Sequence, residues 1–505
     1  MPASITLLQR LSAAGAALSL VAAIGGPNAS VVRALTPPTI TVLDINPTDS
    51  GSYALNYSDS DAIAINGGLL FAADDGIHGR ELYKSDGTVA GTMLVKEINP
   101  SGSSYPGGIV AMGEIAFFKE YDGSNGWELW KSDGTEAGTV MVKNINPGDS
   151  SNPGHLTAVG STLYFTADDG TNGYELWKSD GTEAGTVIVK NIKPSGGSDP
   201  LSLTAVGSTL YFTANDGTNG EELWKSSGTE AGTVIVKNIN PSNGSNPRNF
   251  YEVGNMLYLQ ADDGTNSDEL WKSDGTEAGT VIVKNINPSG GSNPRYFTAI
   301  GTTIYFAADD GTNGTELWKS DGTDAGTVMV KDINPGANGY PNYLTSLGGK
   351  FYFRALGDTN GWEVWESDGT EAGTTLLKDI NPTGGAFPTS LTRHGNLLYF
   401  LATDGVNGTE MYVSDGTAAG TMRIPGPTAA DYVRCDCYAR PLISTAAGVF
   451  FTYYEVTVGF ELGFITDPLP ATTMDNGALT LAMLLLSGTL AAGAVIARRK
   501  EHRAN

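Results

Sequence analysis

The chain of 505 residues carries 55 acidic residues against 30 Lys and Arg, a formal charge of −25, with only 17% of its residues charged. That balance excludes nucleic acid as a partner, because phosphate backbones demand clustered Lys and Arg. It permits divalent cations and keeps an exposed protein in solution.

Taken from the start, residues 1–30 run from a short polar segment with Arg10 through an apolar stretch over 11–24 to small residues ending at Ala29 and Ser30. This reads as a cleaved secretory signal, since the apolar core is too short to span a bilayer. The first ordered stretch, Thr39 to Pro47, matches the end of every later repeat, for instance Val281 to Pro288. The array therefore opens on the last strand of a unit whose first three strands lie elsewhere.

From there one stretch recurs: Glu316-Leu-Trp-Lys-Ser-Asp-Gly-Thr-Asp-Ala-Gly-Thr327. Copies begin at Glu81, Glu128, Glu175, Glu222, Glu269, Glu316, Glu363 and Glu410, each 47 residues after the last. Such a period marks a supersecondary unit that buries its apolar faces only against its neighbours, so length is a poor guide to domain count here. Within the sixth unit, Thr298–Gly301 and Thr303–Ala308 read as strands rich in pleat-favouring residues. Asp309–Gly314 is a turn of the Asp-Gly and Asn-Gly kind. Glu316–Ser320 is a third strand, Asp321–Gly326 a second turn, and Thr327–Ile333 a fourth strand. Four antiparallel strands with apolar residues on both faces form a propeller blade.

After the eighth unit, residues 441–448, 449–454 and 460–466 look like the first three strands of a ninth. Pairing them with the spare N-terminal strand closes the ring and removes both open edges. The expected fold is thus all-β: a nine-bladed propeller over residues 38–467, with eight blades plus a terminal segment as the alternative. Cys435 and Cys437, one residue apart, are assigned a local structural role, either as a small disulfide or as free thiols.

The rest of the chain reads as an anchor. Residues 468–477 form a linker containing Leu469, Pro470, Thr472 and Thr473, residues 478–497 an apolar run long enough for a transmembrane helix, and residues 498–505 a basic cytoplasmic tail. This order resembles the cell-wall sorting signals of Gram-positive surface proteins, in which a sortase cleaves Leu-Pro-x-Thr-Gly. Thr473 stands where that family has glycine, so covalent attachment and a plain membrane anchor both stay open. The recurring Glu-Leu-Trp-x-x-Asp-Gly-Thr is similar to the ELWxxDGT repeat family of bacterial surface proteins, some labelled hyalin-like, over about residues 40–467. The resemblance implies an extracellular repeat protein and supplies no defined activity.

Trp130, Trp177, Trp224, Trp271, Trp318 and Trp365 recur at one place and are expected to wedge between blades, each indole N–H finding a carbonyl. Trp127 and Trp362 occur beside the turn in units two and seven only, which makes them ligand-contact candidates. The second aspartate of the first turn recurs as Asp75, Asp122, Asp169, Asp216, Asp263, Asp310 and Asp404, a ring of carboxylates able to offer oxygens to Ca²⁺. Where the repeats break their own rule, in the blade-joining loops, stand His155, Arg248, Arg295 and Tyr340, further ligand candidates. His78, His155 and His394 lie in different units without a matching nucleophile. The expectation is therefore a non-enzymatic, surface-anchored propeller for adhesion or for binding an extracellular glycan or protein. A surface-layer component is the alternative, and a secreted hydrolase on a propeller scaffold the weakest reading.

Overall fold

A computed structural model describes residues 37–47, 51–55, 61–426, 442–455 and 459–466. The expected signal segment, Cys435 and Cys437, the Leu469–Thr473 motif, the apolar run and the basic tail lie outside them. Among the described residues no helix is long and apolar enough to cross a membrane. The strands form nine sheets of four antiparallel strands, in sequence order within each of the first eight. In the sixth blade they are Arg295–Ile300, Thr303–Asp309, Thr315–Ser320 and Val328–Lys331.

The innermost strand starts at Arg295 rather than at Thr298 because Tyr296 takes a left-handed φ of 58°, and the register slips between Arg295 and Thr298. Such a bulge bends the strand where the chain drops into the channel. First strands contact one another around the complete circle, including that of the ninth blade with that of the first. They line a central channel. Each blade packs on the next through fully buried rings such as Phe165, Phe212, Phe306 and Phe353, each worth about 3 kcal/mol.

The motif tryptophans do wedge between blades: Trp318 of blade six packs with Tyr258, Leu270, Val283 and Ile286 of blade five. Their indole N–H groups, however, find no carbonyl; none of the six has a hydrogen-bond partner among the described residues. The ring stands over aliphatic side chains of the preceding blade, where no acceptor points at it. Motif lysines complete the seam, Lys178 Nζ donating to Gly228 O at 2.7 Å and Lys225 Nζ to Gly275 O at 2.9 Å on the following blade.

The ninth blade is composite, as its halves suggested. Strand Ile40–Leu43 pairs antiparallel with Gly459–Thr466, with Ile40 opposite Ile465 and Leu43 opposite Leu462. Two chain segments far apart in sequence thus share one sheet, which gives the ninth blade the same four strands as the others.

Candidate functional site

Blade-joining loops and the turns between second and third strands share one face, because the two are tied together. The Asn152 amide donates to Trp127 O at 3.1 Å, and Asp168 N donates to Ser151 O at 3.0 Å. The motif glutamate locks each loop from beneath. Glu128, fully buried, accepts from Ile145 N, Ser151 N and Ser151 Oγ at 2.8, 3.1 and 2.6 Å. Loops held this firmly sustain backbone strain. Seven successive loops place a non-glycine residue in the left-handed region just before proline, among them Tyr105, Asn152, Tyr340 and Phe387, at a cost of about 1–2 kcal/mol each. Tyr105 and Phe387 are each 53% exposed, so the strain serves to present rings at the rim.

The recurring turn aspartates fold their own turns. Asp169 Oδ1 accepts from the amides of Thr171 and Asn172 at 2.9 and 2.8 Å, while Oδ2 takes Asn172 Nδ2 at 2.7 Å. Asp122, Asp216, Asp263, Asp310 and Asp404 repeat the pattern. Asp75 substitutes His78 Nδ1, at 2.7 Å. Burial alone would raise the Asp75 carboxyl, but these donors outweigh it and hold it at about 2. The carboxylates stay apart, and among the described residues no group of three or more His, Cys, Asp or Glu side chains converges.

The other candidates fall into two rim patches, with Arg248 outside both, ion-paired to Asp268 at 2.5 Å. In blade two, Trp127 contacts Tyr105 with ring centroids 6.4 Å apart and carries Lys119 Nζ 5.4 Å over its ring. The exposed His155 lies close enough to Lys119 to feel its charge. In blade seven, Trp362 stacks on Tyr340 at 6.2 Å, and the Arg354 guanidinium sits 4.1 Å over the indole. Arg295 lies 5.7 Å from the Tyr296 ring. Lys119 and Arg354 were not singled out from the sequence. Their signal was there, however, since the equivalent residues elsewhere are Ala72, Thr166, Thr213, Gln260, Ala307 and Leu401.

Inside the channel a cavity of about 460 Å³ is bounded by Ala62–Ala64, Tyr343, Ser390–Thr392 and Leu442–Ser444. One of its lining residues, Ser444, places its hydroxyl 2.8 Å from His394 Nδ1, across the seam between blades nine and eight. His394 is only 7% exposed, and its ring meets Tyr399 edge-on at 6.3 Å. The expectation that no histidine has a nucleophile beside it is therefore corrected for His394. The pair is formed by residues 50 apart, on different blades.

No family model matches the chain, and no curated protein does either. Solved structures do. One from a study of two prolyl endopeptidases shares 12% identity at a TM-score of 0.38, covering 68% of this chain and 53% of that one. A puromycin hydrolase shares 14% at 0.33, covering 73% and 62%. Prolyl oligopeptidase B from Galerina marginata, bound to a 35mer substrate, shares 11% at 0.38, covering 67% and 53%. The chain thus spans little more than half the length of these proteins, and identities this low assign it no activity. The expectation of a non-enzymatic adhesion or ligand-presenting protein is nonetheless corrected. The Ser444–His394 contact removes the ground on which an enzyme was excluded.

Proposed function

We propose that the chain is a hydrolase whose reaction centre is the Ser444–His394 pair at the channel wall. The observation that carries this reading is the 2.8 Å contact between a hydroxyl and an imidazole nitrogen beside a cavity large enough for a small substrate. With the imidazole proton on Nε2, Nδ1 accepts the Ser444 proton as Oγ attacks an ester or amide carbonyl. The same proton then passes to the departing alcohol or amine, leaving an acyl group on Ser444. Water, deprotonated by His394, releases the acid and restores the serine. An exported chain, anchored through its C-terminal apolar run or linked by a sortase at Thr472, is the proposed setting.

The test uses the full chain with a fluorescent fluorophosphonate and with p-nitrophenyl acetate. Labelling mapped to Ser444 and turnover abolished by Ser444→Ala are expected, with His394→Gln lowering the labelling rate by about 10²-fold or more. Absence of both labelling and turnover in a chain that melts cooperatively overturns the reading.

A further inference from the structure

Most basic side chains of this acidic protein are already engaged. Lys131, Lys178, Lys225 and Lys272 each bond a carbonyl of the following blade, and Arg80, Arg248 and Arg423 have carboxylate partners. Arg295 and Arg354 differ. Neither forms an ion pair among the described residues, and the Nε of each is buried without a hydrogen-bond partner. Burial also holds the Arg354 guanidinium below its ordinary pKa, with the phenols of Tyr343 and Tyr296 close enough to act on its charge. Leaving a guanidinium half-buried and unpaired is costly, and the usual compensation is an anion.

The surroundings suit a ring as well as a charge. Tyr296 is 51% exposed, Tyr340 39% and Tyr343 37%. Tyr340 lies nearly parallel to Trp362, at an interplanar angle of 19°. Tyr343 belongs both to this patch and to the wall of the cavity that Ser444 also lines. Blade two repeats the cation, indole and tyrosine as Lys119, Trp127 and Tyr105. There, however, the carboxylate of Asp61, paired with Arg80, stands close enough for the Lys119 charge to act on it.

We propose that Arg295, Arg354, Tyr296, Tyr343 and Trp362 form an oxyanion-binding subsite at the channel mouth, which takes the carboxylate, phosphate or sulfate of a ring-bearing ligand. Resting on the hydrolase reading, the subsite selects anionic substrates by holding the charged end while the remainder runs along the cavity toward Ser444. Guanidinium groups match oxyanions bidentately, and a flat ligand gains further by stacking on the exposed phenols.

Calorimetric titration of the Ser444→Ala full chain tests this without turnover, using benzoate, phenyl phosphate and phenyl sulfate with neutral benzamide as control. At least one anion is expected to bind tenfold or more tightly than benzamide, and which one does so identifies the oxyanion. Arg354→Gln should weaken it at least tenfold, Arg354→Lys by less, and Lys119→Gln in blade two not at all. The subsite is overturned if no anion outbinds benzamide, or if Arg354→Gln binds as the parent does while melting at the same temperature. Arg354-dependent binding in a chain that shows no turnover keeps the subsite and removes the hydrolase.

Discussion

Glu128 and its equivalents sit buried, most of them surrounded by donors rather than by a counter-ion; Glu410 is the exception, paired with Arg423 at 3.4 Å. Burial pushes these carboxyls up, and the loop serine opposes it by hydrogen bonding to the charged form. Where the serine is missing the balance tips. Gly339 and Ala386 stand in its place for Glu316 and Glu363, and both carboxyls are pushed up to about 7, against an ordinary 4.5. Glu410 reaches the same value, and so does Glu461, where burial together with the charge of Asp44 outweighs the bond from Ser52. A carboxyl raised on folding contributes stability that is complete below pH 4.5 and is lost as pH rises through about 7. The turn aspartates act oppositely. They are lowered from 3.8, and their contribution holds above that value and fades below it. Thermal midpoints should therefore peak in mild acid and fall between pH 5 and 8. Ala386→Ser restores the hydroxyl at a position that already holds a Cβ, so it should draw the Glu363 carboxyl back down and add about 1 kcal/mol above pH 7. The gain should shrink at pH 5; an equal gain at both pH values would show that the hydroxyl acts on something other than the carboxylate. Blade two carries a further case. The Ser104 Oγ lies 2.6 Å from Glu81 and 2.5 Å from Glu120. One hydroxyl has one proton to give, so one of the two carboxyls must be protonated to make the second contact.

At the scale of the element, the first turn is a closed circuit of hydrogen bonds. Asn172, held by Asp169, accepts from Asn191 Nδ2 at 2.6 Å and so ties the turn to the exit of the fourth strand. Asp169→Ala removes three acceptor contacts from a partly solvated turn and should cost about 1–2 kcal/mol in urea unfolding. Calcium at these turns stays a proposal, and the same experiment decides it. A bound ion raises the midpoint of the parent and leaves Asp169→Ala unresponsive, whereas an EDTA-insensitive midpoint in both removes calcium. The turns, the strand order and the inter-blade place of the tryptophans were legible in the sequence, because glycine at fixed offsets and alternating apolar residues are local signals. The motif glutamate was not read as a loop clamp, since its partners Ile145 and Ser151 lie 17 and 23 residues away. Nor was the partnership of His394 with Ser444. Alternation tells which face of a strand a side chain takes, but not which atom of the adjoining blade it meets. Arg354 and Lys119 mark where the second strand departs from its own repeat, a signal as local as the loops' own departures and carried by single residues at a fixed offset.

For the whole molecule, stability hangs on the seam where the two ends of the array meet. Ile40, Leu43, Ala54 and Leu55 are buried in the clusters on either side of the ninth blade. The joint is also polar: Glu461 accepts from Ile45 N and Ser52 N at 3.0 Å each, and Thr452 Oγ1 donates to Ala54 O at 2.9 Å. Removing residues 1–46 takes away the outer strand, exposes the edge of Gly459–Thr466 and uncovers Phe464 and Leu462. Contacts between blades couple the ring around its circumference, so the loss is not confined to one sheet. The truncated chain should melt at least 10 °C lower, and its free edge should pair with another copy, giving concentration-dependent association on size exclusion. A synthetic peptide of residues 37–47 should restore both the monomer and much of the midpoint, because it supplies the missing ladder in trans. The single substitution Leu43→Asp, at a site 1% exposed, should reproduce the destabilisation by about 3–5 kcal/mol without shortening the chain. A truncated chain that melts where the parent does, and stays monomeric, would mean that eight blades hold the circle without the shared ninth. The channel wall that carries Ser444 would then no longer depend on the N-terminal strand.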